Sequence, residues 1–558
     1  MKRKAINRKR IVFFILGGFL LLLICLVIYL ALVAVDYPPK INESEIVSVQ
    51  RMKIDENCFT FGPNWIRKSE SGLWEMYVEG DAYERGLING ELSKELIYQQ
   101  EKAFTDQIIK MVPSTFYRHF LKYFVAWFNR DLDENITEEY KKEIFGVSRV
   151  ASEEFDYIGS AYQRMMNYHA AHDIGHALQN LALVGCSSFA TWNDRSKDSL
   201  LLLGRNFDFY VGDKFAENKI VYFCNPKVGN KFMMLTWGGL IGVVSGMNMK
   251  GLTITLNAAK SEIPSGSATP VSILAREILQ YAGTIEEAVS IAEKRRTFVS
   301  ESFMIGSAVD NRAVVIEKTP ELVDVYDENA SSIVCTNHYQ GRELFHQKDN
   351  LVQMSQSASV SREERIRELL SRYTLNTPLI TATILRDQFG RDDKFIGYGN
   401  EKAVNQLISH HSIIFEPANR IVWVSTAPWT LGKYVAYDLN KIFQMDGMKE
   451  NHEICEDSLT IPADPFLLSD DYKKFLSFRE MKAKIQDGLE VDLDRLISSN
   501  PQYYDTYVLA GDQAFKSKNY DMAIGYYMTG LGKEIASKTE EMYLRKQVLK
   551  CEKKKLEN

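Results

Sequence analysis

Residues 11–35, IVFFILGGFLLLLICLVIYLALVAV, carry no charged side chain. A run this apolar and this long is the length a helix needs to cross the hydrocarbon of a bilayer, and it is an improbable core helix. KRKAINRKR precedes it and DYPPK follows. Basic residues on the N-terminal side predict that this end stays in the cytoplasm. The reading is a basic cytoplasmic tail at 1–10 and an uncleaved transmembrane signal-anchor at 11–35. Everything from Asp36 onward then lies on the extracytoplasmic side, periplasmic or extracellular. A cleaved signal peptide would have a shorter apolar region ending in an A-x-A-like site, and no good site is present.

At 558 residues the chain exceeds one ordinary core, which predicts one large domain with appendages. Its composition, 45% hydrophobic and 25% charged with 14 prolines, is that of a globular protein. A net charge of −6 argues against a nucleic-acid partner, which calls for a basic face. Beyond the apolar run stand Cys58, Cys186, Cys224, Cys335, Cys455 and Cys551. They are scattered without a C-x-x-C pair, so zinc-ribbon and thioredoxin-like readings lack support. If one thiol is kept free for chemistry, an odd number remains, and a disulfide framework is not what holds the fold.

Residues 36–74 read as an irregular linker leading from the membrane, with YPPK as a stiff start. From about 75 to 182 the pattern is mainly helical: ELSKELIYQQEKAFTDQIIKMV and EEYKKEIFGVSRVASEEF carry apolar residues at three- and four-residue spacing. After Cys186 the texture changes to short β-branched and aromatic runs, among them KIVYFCN, KFMMLTW, GLTITLN, RAVVIEKT, SIVCTN and RIVWVSTA, separated by turn residues. Two helical stretches, PVSILAREILQYAG and TIEEAVSIAEKRR, interrupt them, the second opening on a capping-box pattern. This predicts an α+β fold of stacked layers with largely antiparallel sheets. From about 470 the chain returns to helix, and YYDTYVLAGDQAFKSKNYDMAIGYYMTGL spaces small and aromatic residues as a tetratricopeptide (TPR) helix pair does.

The junction between the two textures reads LVGCSS. A thiol attacks as thiolate, so it needs a base or a positive neighbour. Cleavage of the Gly185–Cys186 bond would supply that base within the same residue, since a freed α-amino group has an unperturbed pKa of about 7.7–8.0. Gly185 permits strained geometry at the scissile carbonyl. Downstream, GRNFDF supplies Arg205 and Asp208, SGMNMKGLTITLNAAK a strand ending at Asn257, VCTNHY Asn337 at another strand end, and SVSREERIRELL Arg362 at a helix start. Each has an ordinary structural reading as a surface ion pair, a turn asparagine or one of several arginines in a charged helix.

In this order, from roughly residue 78 to 440, the set resembles the N-terminal-nucleophile (Ntn) hydrolases. The likeness is to the choloylglycine hydrolase and acyl-coenzyme A:6-aminopenicillanic acid acyltransferase group. VEGDAYERGLINGEL (78–92) is similar to an early G-x-x-x-E-R-G segment of the acyltransferases, and HHSIIFEP (410–417) closes the match. The 185 residues before Cys186 agree with the self-cleaving branch rather than the bile-salt branch, where the cysteine follows the initiator methionine. The resemblance implies an αββα four-layer sandwich over 75–450, divided at 185/186. It implies Cys186 as nucleophile with its own amine as base. Arg205 would hold the thiolate, Asp208 would accept from the new amine, and Asn257 would donate to the oxyanion. Asn337 and Arg362 would position the substrate.

The implied activity is hydrolysis or acyl transfer on a linear amide through a Cys thioester, with no metal or organic cofactor. Its partners would be a small amide or acyl-thioester substrate, the membrane through 11–35, and a protein docked at the helical tail 470–558. The alternative from another class is a catalytically silent scaffold presenting that tail to a partner. His169, His172 and His176 share roughly one helix face, but no H-E-x-x-H base pattern accompanies them, and packing near the junction is the favoured reading over a metal. IGYGNEK lacks the strand–G-x-G-x-x-G–helix context of a phosphate loop.

Overall fold

The computed structural model describes residues 8–33, 35–41, 50–178, 185–210, 212–260 and 266–557. Its first helix, Arg8–Val33, contains Val12–Leu30, a stretch of mean hydropathy 3.0 with none of its residues buried. Among the described residues it is the one helix long and apolar enough to cross a membrane, a test that an N-terminal signal sequence also passes.

Two sheets form the body. The larger runs, in spatial order, Met52–Asp55, Cys58–Phe61, Asn64–Lys68, Trp74–Gly80, Ile220–Pro226, Phe232–Thr236, Ser245–Asn248, Leu252–Ala258, Glu301–Ser307, Arg312–Lys318 and Val323–Tyr326. The smaller runs Ser332–Cys335, Ser187–Thr191, Leu202–Phe207, His411–Glu416, Ile421–Ser425 and Tyr434–Asp438. Every neighbouring pair is antiparallel except Trp74–Gly80 with Ile220–Pro226, which join in parallel across the Gly185–Cys186 junction.

Alternation along the strands sets the layers, because successive side chains point to opposite faces. Val221, Phe223, Met233, Leu235, Met304 and Val315 of the larger sheet share one core with Ala190, Leu203, Ile413, Phe415, Val422 and Val424 of the smaller. The intervening residues Tyr222, Met234, Phe303 and Ile316 face a core that includes Ile88, Leu92, Ile144, Ile278 and Ala288 from helices. On the outer face of the smaller sheet, Phe189, Ile414 and Trp423 meet Ile366, Leu369, Ala382 and Leu385. The order is helices, sheet, sheet, helices.

Residues 52–68, expected as part of an irregular linker, instead supply three strands to the edge of the larger sheet. Their alternation is broken by Asn57, Asn64 and Arg67, and Asn64 and Arg67 are buried, so the polar positions disguise strand as loop. The helix expected at TIEEAVSIAEKRR begins at Ile285, and Thr284 accepts from the Glu287 N–H at 3.2 Å. The reciprocal bond departs from the capping box: the Glu287 carboxylate takes the Gly283 N–H at 2.7 Å.

The early segment DAYERG has a structural explanation. Asp81 and Glu84 form a full capping box at the start of helix Ala82–Met111. A Cβ on Gly86 would stand 1.9 Å from the Glu143 carbonyl oxygen, so only glycine lets helix Glu138–Ser148 approach this closely. The adjacent Arg85 meets the Glu143 carboxylate at 2.7 Å, and Arg276, from helix Val271–Tyr281, meets it at 3.0 Å. All three are buried. The triad ties chain from before the junction to chain from after it.

The tail is helical at Asp470–Gln486, Leu493–Ser499, Tyr504–Lys516, Tyr520–Leu531 and Lys538–Glu557. It is not detached: Phe475, Phe478 and Met481 pack with Leu407 and Leu431 of the body.

Candidate active site

Cys186 immediately precedes strand Ser187–Thr191, whose partner Leu202–Phe207 pairs Ser188 with Arg205 and Ser187 with Asn206. Alternation then sorts the polar groups. Ser188 and Arg205 face the larger sheet, where Ser188 donates to Asn257 Oδ1 at 2.8 Å and Arg205 donates to the Val244 carbonyl at 3.0 Å. Ser187 faces the outer helices and accepts from Arg362 Nη1 at 2.9 Å. The Cys186 sulfur lies between the sheets, fully buried, packed with Phe207 and Val244.

Arg205 Nη2 stands 3.6 Å from Cys186 Sγ. Its guanidinium is fixed by Val244 O, Leu256 O and Ser245 Oγ, with the Phe207 ring 4.2 Å below. His411 Nε2 orients Ser245 at 2.8 Å. Burial pushes the Cys186 thiol pKa up, Arg205 opposes that rise, and the Asp208 charge adds to it. In the intact chain the sulfur is therefore held as thiol beside a cation that favours thiolate.

The carbonyl of Gly185 is gripped from two sides. Arg362 Nη1, from helix Ser359–Ser371, donates to it at 2.7 Å, and Gln406 Nε2 does so at 2.7 Å. Arg362 Nη1 also reaches the Cys186 carbonyl, while Nη2 donates to Asn337 Oδ1 at 2.7 Å. Gln406 Nε2 contacts Asp208 Oδ2 at 3.0 Å, and Ser409 donates to Asp208 Oδ1. Burial raises the Asp208 pKa to about 6, against the Ser409 hydrogen bond and the charges of Arg362 and Arg205. The Gly185 N–H donates to the Asp208 backbone carbonyl at 3.0 Å. Gly185 is thus held through both its N–H and its carbonyl.

Asn337 is itself held by a buried relay. Its N–H donates to Ser359 Oγ at 2.7 Å, Ser359 Oγ lies 2.8 Å from His338 Nδ1, and His338 Nε2 lies 3.0 Å from Glu363. A carboxylate only accepts, so Nε2 carries a proton toward Glu363, and Ser359 Oγ also lies 2.9 Å from Thr336 Oγ1. Every group in the relay is satisfied.

The geometry thus brings Gly185, Cys186, Arg205, Asp208, Asn337 and Arg362 together. Asn257 is different: its Oδ1 takes Ser188 and its Nδ2 donates to the Cys335 carbonyl at 3.0 Å, which leaves one amide hydrogen. The donors on the Gly185 carbonyl are Arg362 and Gln406 instead. Sequence reasoning missed Gln406, Ser409, Ser245 and the relay; HHSIIFEP contained His411 but gave it no part. His169 uses both ring nitrogens, accepting from the Ile241 N–H at 3.0 Å and donating to Met165 O at 2.7 Å. Burial takes its pKa down to about 4. The side chains of His172 and His176 lie outside the described residues. Among the described residues no His, Cys, Asp and Glu cluster could hold a metal.

Near the sulfur lies a small cavity of about 60 Å³. Phe209, Trp237 and Val244 line it and also pack around Cys186. Its far walls include Phe104 and Tyr168, from helices preceding the junction.

Comparison with known proteins adds relatives at low identity. An uncharacterized protein of Archaeoglobus fulgidus is 25% identical over 46% of this chain and 44% of its own length. The N-acylethanolamine-hydrolyzing acid amidase of Caenorhabditis elegans is 25% identical over 36% of this chain and 56% of its own length. The chain thus spans about half the length of the curated relatives it matches. Among solved structures, a Caenorhabditis elegans ortholog of that amidase aligns with a TM-score of 0.30 and 19% identity over 42% of this chain and 93% of the other. A family model for acyl-coenzyme A:6-aminopenicillanic acid acyl-transferase matches residues 192–428, starting just past Cys186.

Proposed function

We propose that this chain is a membrane-anchored, self-cleaving Ntn-type hydrolase or acyltransferase. It acts on a linear amide such as an N-acyl amine or N-acyl amino acid, with Cys186 as nucleophile. The observation that carries the reading is the Gly185 carbonyl. It receives two hydrogen bonds of 2.7 Å from Arg362 and Gln406 while its own peptide bond leads to a thiol facing Arg205. Donors aimed at a carbonyl oxygen stabilise the charge that builds there when the carbon is attacked.

In the first step Cys186 Sγ bonds to the Gly185 carbonyl carbon, the Gly185–Cys186 C–N bond breaks, and the thiol proton ends on the departing nitrogen. Water then hydrolyses the thioester, leaving a carboxylate on Gly185 and a free amine and thiol on Cys186. In later turnovers the amine accepts the thiol proton and Asp208 holds the resulting ammonium. Sulfur attacks the substrate carbonyl, the substrate C–N bond breaks, and its amine leaves with that proton. Water or an acceptor amine resolves the thioester. The largely apolar walls of the cleft at Phe209, Trp237 and Phe104 suit an apolar acyl group, which enters as the cleft widens. The apolar helix Arg8–Val33 anchors the first fragment, with the catalytic body on the extracytoplasmic side.

Intact mass and N-terminal sequencing of the purified chain test the reading. The expected result is two associated fragments, the second beginning at Cys186, and an uncleaved Cys186→Ala variant without amidase activity. A single intact chain, or full activity in Cys186→Ala, would overturn it.

A further inference from the structure

The C-terminal helices lie outside the family-matched stretch, yet they bear on the loop that carries Gln406 and Ser409. That loop begins near Ile396 and contains three left-handed residues: Gly397, Gly399 and Leu407, the last at φ +55°. A leucine in that region is strained and needs surrounding structure to hold it. The tail supplies the hold. A Cβ on Gly397 would stand 2.4 Å from the Tyr503 backbone nitrogen, so the tail backbone lies directly on the loop. Asn500 pairs with Tyr398 in both directions, donating to its carbonyl at 2.8 Å and accepting from its N–H at 3.1 Å.

Arg479 completes the contact. It donates to the Leu407 carbonyl at 3.4 Å, clasps Asp213 at 2.6 and 2.8 Å, and lies 4.6 Å over the Trp429 ring. Asp213 begins the short helix that places Phe215 in the cleft wall. One tail arginine therefore touches the residue beside Gln406 and the segment that carries Phe215 into the cleft wall.

We infer that the C-terminal tail is a clamp on the active-site loop and that Arg479 is a positioning residue. It holds Leu407 in its strained turn so that the Gln406 amide stays on the Gly185 carbonyl and on Asp208. The inference rests on the proposed chemistry for its kinetic readout, but not for its structural one.

The test uses the full chain with Arg479→Ala, Arg479→Lys and Asn500→Asp, and with Arg545→Ala on the last helix as control. Junction cleavage, kcat, KM, thermal midpoint and hydrogen exchange of the 396–410 peptide are measured. In Arg479→Ala and Asn500→Asp, cleavage and kcat should fall about tenfold or more, since a displacement near 1 Å suffices for up to about 100-fold. In Arg479→Ala KM and the thermal midpoint should stay near wild type, exchange should quicken in 396–410 in both variants, and Arg479→Lys should recover part of the loss. Unchanged exchange in the loop, or losses that simply track the thermal midpoint, would overturn the clamp. If the wild-type chain neither cleaves nor hydrolyses amides while Arg479→Ala still loosens the loop, the chemistry fails and the clamp stands.

Discussion

Gly185→Ala is the sharpest probe of the junction. A Cβ built at Gly185 falls 2.4 Å from Gln406 Nε2 and 2.8 Å from its Oε1, where ordinary contact begins near 3.4 Å. The Gln406 amide must then retreat by about 1 Å, which stretches its 2.7 Å bond to the Gly185 carbonyl past 3.5 Å, where a hydrogen bond no longer exists. Loss of one donor from an oxyanion site lowers rate about 10²–10³-fold. Self-cleavage in Gly185→Ala should therefore slow by about that factor, followed by intact mass after cell-free synthesis. The cause is checked by a double-mutant cycle. If displacement of Gln406 is the whole effect, Gln406→Ala and Gly185→Ala/Gln406→Ala cleave at equal rates, because the second change has nothing left to displace. Cleavage of Gly185→Ala at the wild-type rate, or fully additive losses in the pair, would refute the reasoning.

Three further outcomes follow from the same geometry. Asp208 holds its proton up to about pH 6 when folded, against 3.8 otherwise, so its contribution to stability is complete below pH 3.8 and is lost as pH rises to about 6. Asp208→Asn should then stabilise the uncleaved chain relative to wild type at neutral pH by on the order of 3 kcal/mol at most, read as a higher thermal midpoint, and not near pH 4. Glu143→Gln leaves Arg276 buried without a carboxylate and Arg85 with Glu139 alone, and should destabilise by about 3–5 kcal/mol, loosening the hold between fragments 1–185 and 186–558 in a co-purification assay. His338→Leu removes a buried hydrogen-bond partner from Ser359 and should lower stability by about 1–3 kcal/mol in denaturant unfolding, whereas His338→Asn, which keeps a polar group there, should lose less.

Much of the layering was legible because strands buried on both faces carry unbroken apolar texture, as in KFMMLTW and RAVVIEKT, and turn residues punctuate them. The edge strands of 52–68 were not, since Asn64 and Arg67 are buried there through contacts with distant chain: Asn64 accepts from the Glu79 N–H and Arg67 reaches His452 and Glu453. Arg205, Asp208, Asn337 and Arg362 could be picked out because they follow Cys186 in the order that the resemblance implies. Gln406 could not. Nothing in VNQLIS marks a functional amide; its place depends on Leu407 adopting a left-handed turn under a tail that begins more than sixty residues later.

On the proposed reading, the two donors on Gly185 also say what maturation must do. Arg362 and Gln406 are occupied by the chain's own carbonyl, and the sulfur is sealed against Phe207 and Val244. A substrate carbonyl needs the same donors, so no substrate can be turned over until the Gly185 end withdraws. The cleft wall around Phe104 and Tyr168 belongs to the fragment that ends at Gly185, and that fragment is bolted by Glu143 to Arg276. Only its last residues are required to move. Self-cleavage is then the first turnover of the same site, with residue 185 as its acyl group. A Cys186-directed acylating probe should label only chain whose junction is cut. Equal labelling of intact chain would mean that the donors are already free.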